Sequence, residues 1–284
     1  MNIKFLISIS RPRFWIYELG TFFIGYLLAI EKISDFLNFN FFVFFLYFTF
    51  PANLLIYGIN DIFDYETDKL NPKKISYEKL LEPRYHKNLI ALIFLFNLPF
   101  LVYSFISLNI SQIVYLLLFL FFAVFYSALP IRAKSKPFLD SFFSASHYVF
   151  TGIFGYYLIY PDKNFPILAF IFGMLWSMAM HAYSAVFDIE FDRMAKIDTI
   201  ATFLGHKKTI IFCLILYTIS FFIISTYNIY LIIGSIPYIA LMILSIKSIN
   251  DKERLFKIYK IFPYVNTILP MIWSILYIYQ KFIF

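Results

Sequence analysis

Residues 39–68 read FNFFVFFLYFTFPANLLIYGINDIFDYETD, an uncharged apolar run that ends in a burst of acids, Asp61, Asp64, Glu66 and Asp68. A helix needs about 20 predominantly apolar residues to cross the hydrocarbon of a bilayer. Residues 39–60 supply them. Ionised groups at the end of such a run are costly unless they are paired or bound to metal. The stretch therefore predicts a membrane-crossing helix with chemistry at its end.

The same apolar signal recurs near 14–30, 88–107, 112–129, 138–159, 165–187, 210–226, 230–246 and 261–280. The expected fold is thus all-α: a polytopic membrane bundle of nine transmembrane helices, forming one domain over residues 1–284. Composition agrees, since 61% of the 284 residues are hydrophobic and only 14% are charged. A soluble enzyme or a disordered chain is excluded by that balance. The one cysteine, Cys213, excludes a disulfide framework or a thiolate metal cluster.

Charge gives the orientation. With the N-terminus inside, 21 of the 24 Lys and Arg fall on the inner side, and only Lys32, Lys163 and Lys281 fall outside. That asymmetry predicts a cytoplasmic N-terminus, an outer C-terminus and a multi-pass protein of the cell membrane. It also accounts for the net charge of +7 without nucleic acid as a partner. Residues 1–10 run into Arg11-Pro12-Arg13 rather than a cleavage site, and read as a retained lead-in. The longest inner loops, near 61–87 and 188–209, are the expected cytoplasmic caps, and loops of that kind carry function.

Eight of the 17 acids sit in two clusters, the four above and Asp188, Glu190, Asp192 and Asp198, at the inner ends of the second and sixth spans. In a continuing helix Asn60, Asp64 and Asp68 share one face, about 6 Å apart in rise, and Asp188 and Asp192 repeat the spacing. Opposed faces of this kind hold too many carboxylates to coexist without cations. Oxygen donors lacking His suit Mg²⁺, which is commonly shared with substrate phosphates, and do not suit zinc. The bland alternative is two helix ends salt-bridged to nearby Lys. The loop Tyr126-Ser127-Ala128-Leu129-Pro130-Ile131-Arg132-Ala133-Lys134, together with Arg11 and Arg13, places cations where a diphosphate could be clamped.

These residues resemble the UbiA superfamily of intramembrane prenyltransferases: N-D-x-x-D-x-x-x-D near the end of the second helix, D-x-x-x-D near the end of the sixth, and Tyr-x-x-x-Pro-x-Arg-x-Lys between helices four and five. The resemblance covers nearly the whole chain. It implies Asn60, Asp64, Asp68, Asp188 and Asp192 as Mg²⁺ ligands, with Asp68 also serving the diphosphate. It implies Arg11, Arg132 and Lys134 as diphosphate-binding groups, and Tyr126 and Tyr183 as the tyrosines flanking the motifs. Tyr183 precedes Asp188 by five residues, where many relatives have four. Ser10-Arg11-Pro12-Arg13-Phe14-Trp15, Asn71-Pro72-Lys73-Lys74 and Phe138-Leu139-Asp140-Ser141 look like the carotenoid-modifying branch, the lycopene elongases. Lys196-Ile197-Asp198-Thr199 departs from the Gly-Ile-Lys-Ser of many members with aromatic acceptors.

What this implies is Mg²⁺-dependent transfer of a prenyl group, dimethylallyl or longer, from its diphosphate to a hydrophobic acceptor such as lycopene or a related carotenoid, with a quinone-type aromatic or other lipid acceptor as the alternative. Asp61 or Asp198 is the expected proton acceptor. Tyr126, Tyr183, Phe187 and Trp176 are candidate shields for an allylic cation. His147 and His181, inside spans, are expected to hydrogen-bond between helices. A secondary transporter built from an internal repeat is the competing class, but these acids sit at helix ends rather than at mid-membrane.

Overall fold

The computed structural model describes residues 2–69, 81–226 and 229–282. The Asn71–Lys74 stretch lies outside them. No strand occurs among the described residues, as the sequence predicts. Packing divides the chain into two units, residues 1–132 with 150–164, and residues 133–149 with 165–284.

Unit 1 contains α1 (Ile3–Ile9), α2 (Trp15–Ala29), α3 (Phe39–Thr49), α4 (Pro51–Phe63), α5 (Tyr65–Asp68), α6 (His86–Ser107), α7 (Ile110–Ser127) and the last turns of α8 (Leu139–Tyr157). The apolar run that opened the analysis is two helices, because Pro51 has no N–H to give and breaks the ladder after Thr49. The side chain of Asn53 repairs the break by donating to the carbonyls of Phe48 at 2.9 Å and Thr49 at 2.7 Å. Among the rings Phe22, Phe41, Phe44, Phe48 and Phe154 form a continuous aromatic core. Lipid is as apolar as these rings, so packing rather than water exclusion holds them, at about 1 kcal/mol for each well-placed ring pair. Close approach of α2 to α8 depends on glycine. A Cβ on Gly25 would stand 1.8 Å from the Gly152 carbonyl oxygen, and one on Gly155 2.4 Å from that of Phe22.

Unit 2 contains the first turns of α8, then α9 (Ile167–Ala185), α10 (Ile189–Met194), α11 (Ile200–Ile224), α12 (Ser235–Lys247), α13 (Lys252–Tyr259) and α14 (Phe262–Phe282). Helix α11 is interrupted at Gly205, whose φ of +74° is open to glycine without steric cost. The carboxylate of Asp140, fully buried on α8, accepts the N–H of Ile200 at 2.8 Å and so fixes the start of α11.

Among the described residues six helices are long and apolar enough to cross a membrane: Phe39–Phe63, Pro83–Ser107, Ile110–Ser127, Ile167–Ala185, Ile200–Ile224 and Lys252–Phe282. Helices also lie over the other three expected spans, with different character. Helix α2 has 15 residues and α12 has 13, while α8 carries Asp140, Ser141, Ser144, Ser146, His147 and Thr151 along 19 residues. Helix α8 buries all six of those polar side chains, which is why composition alone describes it poorly.

Candidate active site

The first motif is built on a kink. Helix α4 ends at Phe63, and Asp64, at φ −101° and ψ 1°, turns the chain into α5. The hydrogen-bond ladder survives it: the N–H of Asp64 donates to the carbonyl of Asn60 at 2.9 Å, and that of Asp68 to the carbonyl of Asp64 at 2.7 Å. The second motif repeats the device. Asp188, at φ −109° and ψ 0°, separates α9 from α10, and the N–H of Asp192 donates to its carbonyl at 2.8 Å. Both aspartates occupy the sparsely populated bridge region, where many active-site residues sit. The register of the two motifs is thereby set as Asp64 with Asp188 and Asp68 with Asp192.

Unit 1 brings most of its expected residues together. Asp64 is only 2% exposed, and a guanidinium nitrogen of Arg132 lies 3.8 Å from its Oδ1. Arg132 also reaches the carbonyl of Phe63 at 3.5 Å. Arg11 donates to Oδ1 of Asp61 at 2.6 Å and lies over the Tyr57 ring, 4.8 Å from its centroid. Both arginines stand on left-handed backbone, Arg11 at φ 50° and Arg132 at φ 44°. Such strain costs on the order of 1 kcal/mol per residue and clusters at ligand sites. The side-chain nitrogen of Asn60 donates to Ser127 Oγ at 3.1 Å, which leaves its carbonyl oxygen as the donor atom a hard cation takes. Tyr126, half-buried, precedes Ser127 at the end of α7. Asp68 is half-exposed at the end of α5, and Glu66 turns outward to Lys69.

In unit 2 Asp188 and Asp192 are half-buried together. Burial first, and then the charge of Asp188, push the Asp192 carboxyl up to about 7, against the opposing pull of Lys134, the Thr199 hydroxyl and His181. Lys134 is thus in the field of the second motif. Glu190 faces outward and pairs with Lys252, whose hydrogen bond holds its carboxyl below the usual range.

Two further residues carried over by the resemblance are placed as follows. Asp198 is exposed on the turn between α10 and α11. Tyr183 is fully buried, bonded through its hydroxyl to Ser245 Oγ at 2.7 Å and packed edge-on against Phe187, Tyr259 and Phe262. His181, expected to bond between helices, has Nε2 3.8 Å from Asp140 Oδ2 across α9 and α8. Sequence reasoning gave no role to Ser127, Thr199 or Glu18. The signal for Glu18 was available, since an ionisable residue inside an apolar span is a functional candidate by default.

The donor set fits Mg²⁺. Its atoms are all oxygens, and after burial it is the charge of Asp188 that pushes the Asp192 carboxyl up. Among the described residues no group of three or more His, Cys, Asp or Glu is gathered to enclose a metal. Mg²⁺ does not demand one, because it keeps waters and is bound through one or two carboxylates with substrate phosphates.

All-helical architecture and twin aspartate kinks beside Arg and Lys define a class, and comparison with known proteins gives the same one. The UbiA prenyltransferase family model matches residues 19–262, and the chain belongs to that family. Among its relatives is a lycopene elongase/hydratase from Haloarcula japonica, 33% identical over 96% of this chain and 91% of the relative. A protein of the same description from Haloferax volcanii is 32% identical over 95% and 87%. In fold the chain is similar to a UbiA homologue from Archaeoglobus fulgidus solved with GPP and Mg²⁺, at a TM-score of 0.70 and 19% identity over 96% of this chain and 99% of that one.

Proposed function

We propose that this family member transfers a prenyl group from an allylic prenyl diphosphate, dimethylallyl or longer, to a lycopene-type carotenoid in the cell membrane. The observation that carries this reading is the pair of equivalent breaks at Asp64 and Asp188, each setting oxygen donors beside a cationic side chain. The relatives described as lycopene elongase/hydratase support the acceptor.

Asn60, Asp64 and Asp68 of unit 1 and Asp188 and Asp192 of unit 2 are the proposed Mg²⁺ ligands. When bound, the metal supplies positive charge where negative charge grows on the departing diphosphate. Arg132 of unit 1 and Lys134 of unit 2 are proposed diphosphate-binding groups, and fixed positive charge of this kind is worth more in a water-poor site. Asp61 holds Arg11 over Tyr57 and so orients a guanidinium for the diphosphate. Tyr126 lends a ring face to the allylic cation, an attraction worth about 2 kcal/mol when desolvated. The acceptor alkene then attacks the allylic carbon, and a proton is lost.

Residues 1–284 act as one prenyltransferase domain with nine passes, N-terminus inside and C-terminus outside. The three short or polar helices α2, α8 and α12 complete the six long ones, and the 21 inner Lys and Arg support the orientation.

The test is expression in a lycopene-producing bacterium with mass spectrometry of the pigments. Lycopene gaining one or two five-carbon units is the expected outcome. Unchanged pigments together with Mg²⁺-dependent release of diphosphate on a quinone-type aromatic acceptor would replace the carotenoid reading.

A further inference from the structure

The proposed site residues of unit 2 come from two stretches far apart in sequence, Lys134 on the loop before α8, and Asp188 and Asp192 at the start of α10 and within it. For one diphosphate and its metal to meet all three, that loop must be held in register with α10. One side chain is bonded toward both, the fully buried carboxylate of Asp140 on α8.

On the side of Lys134 the connection is backbone. The N–H of Lys136 donates to the Ala133 carbonyl at 3.0 Å and closes the turn Ala133–Ser135 that carries Lys134, and the N–H of Asp140 donates to the Lys136 carbonyl at 3.0 Å. On the side of the second motif the connection is the carboxylate. Oδ2 accepts the N–H of Ile200 at 2.8 Å, while Oδ1 accepts that of Ser141 at 2.7 Å. Ile200 opens α11 directly after Thr199, whose hydroxyl caps that helix by accepting the N–H of Thr202 at 3.2 Å and stands 3.5 Å from Asp192 Oδ2. The turn out of α10 is closed by the N–H of Ile197, which donates to the Asp192 carbonyl at 2.8 Å. His181, on the helix that leads into the motif, has Nε2 3.8 Å from the same Oδ2 of Asp140. Asp140 therefore faces both the helix before α10 and the helix after it, all within unit 2.

Resting on the proposed reading of the second motif as a metal and diphosphate site, we infer that Asp140 is a positioning residue: through Ile200 it holds Asp192 in register with Lys134. A hydrogen bond to a carboxylate is about twice as strong as one between neutral groups. A carboxylate at the start of α11 also answers the partial positive charge of a helix N-terminus. Stability alone is a poor reason for the acid, because an apolar side chain of similar volume fills such a place at no greater cost. Groups that orient metal ligands in this way change metal affinity by about 10- to 100-fold when they are lost.

The experiment uses the purified full chain, with Mn²⁺ binding in the presence of inorganic diphosphate followed by electron paramagnetic resonance. Asp140→Asn leaves one oxygen for two N–H donors. Ile200→Pro removes the donor itself at the first position of α11, where proline is favoured. Each should weaken Mn²⁺ binding by about tenfold and raise the Mg²⁺ concentration for half-maximal prenyl transfer as much, with kcat at saturating Mg²⁺ within about twofold of wild type. Combined, they should cost no more than either alone, since both cut one bond. Met242→Ala opens a cavity in the buried packing of α12, so it should lower thermal stability and leave Mn²⁺ binding unchanged. The inference is overturned if either folded variant binds Mn²⁺ as wild type does, if their effects add, if Met242→Ala reproduces the shift, or if neither variant accumulates as folded protein, which would make Asp140 a folding residue. Wild-type protein that binds no Mn²⁺ with diphosphate overturns the reading of the site itself, a different result from wild-type binding with unchanged variants.

Discussion

In unit 1 the break at Asp64 is flanked by guanidinium groups, Arg132 at 3.8 Å from Asp64 and Arg11 at 2.6 Å from Asp61. In unit 2 the equivalent break at Asp188 is flanked by another carboxylate, and Asp192 is pushed up to about 7 despite the charge of Lys134. Backbone geometry is nearly the same at the two sites, with φ and ψ of −101° and 1° against −109° and 0°. The difference lies in compensation. The first motif has guanidinium groups at its carboxylates, whereas in the second burial and the charge of Asp188 outweigh the pull of Lys134.

The comparison breaks most visibly at the aspartates themselves. Asp64→Ala and Asp192→Ala should each lower Mg²⁺-dependent diphosphate release by about 100- to 1000-fold, the range for loss of one preorganised charge stabiliser. Wild-type turnover in both variants would mean that the site is wrongly placed. If compensation differs as described, Asp192→Asn should raise the Mg²⁺ concentration for half-maximal activity more than Asp64→Asn does.

A smaller effect sharpens the electrostatic side. Asp192 holds its proton up to about 7, whereas an ordinary aspartate, at 3.8, has long lost it. Between those values the metal-free folded protein binds more protons than the unfolded chain. Its share of stability from this group is therefore full below about 4 and lost above about 7. Mg²⁺ must displace the same proton. The Mg²⁺ requirement of diphosphate release should rise by up to about tenfold per unit as the pH falls below 7, one proton being released per metal. A requirement that stays flat from pH ~6 to ~8 would remove the distinction between the motifs.

The smallest effect concerns Asn60. Ser127→Ala removes the acceptor at 3.1 Å that orients its amide, at a cost of about 1 kcal/mol. Activity at limiting Mg²⁺ should fall about fivefold, and excess Mg²⁺ should recover it; a loss that Mg²⁺ does not reverse would make Ser127 a packing residue.

The candidate site was legible as a pattern because it lies in spacing: Asn60, Asp64 and Asp68, like Asp188 and Asp192, stand at helical intervals beside apolar runs. Glu18 and Ser127 were not legible as partners, since each lies far in sequence from the group it serves, 133 residues in the case of Thr151 and 67 in the case of Asn60. The surroundings of Tyr183 were not legible either, because a motif names a residue type and only packing against Ser245, Tyr259 and Phe262 decides where the ring goes.

The sequence by itself determined the class of fold, an all-helical membrane bundle, and which helix ends gather the acids. Hydrophobic length and the spacing of acids are one-dimensional properties, so the primary structure states them in full. Tertiary structure alone decided that the aspartates stand at kinks, that Arg11 answers to Asp61 and Arg132 to Asp64, that Asp192 lacks equivalent compensation, and that Glu18 meets Thr151. Those are pairings across helices, and in lipid they are set by which small residues, such as Gly25 and Gly155, let two helices touch.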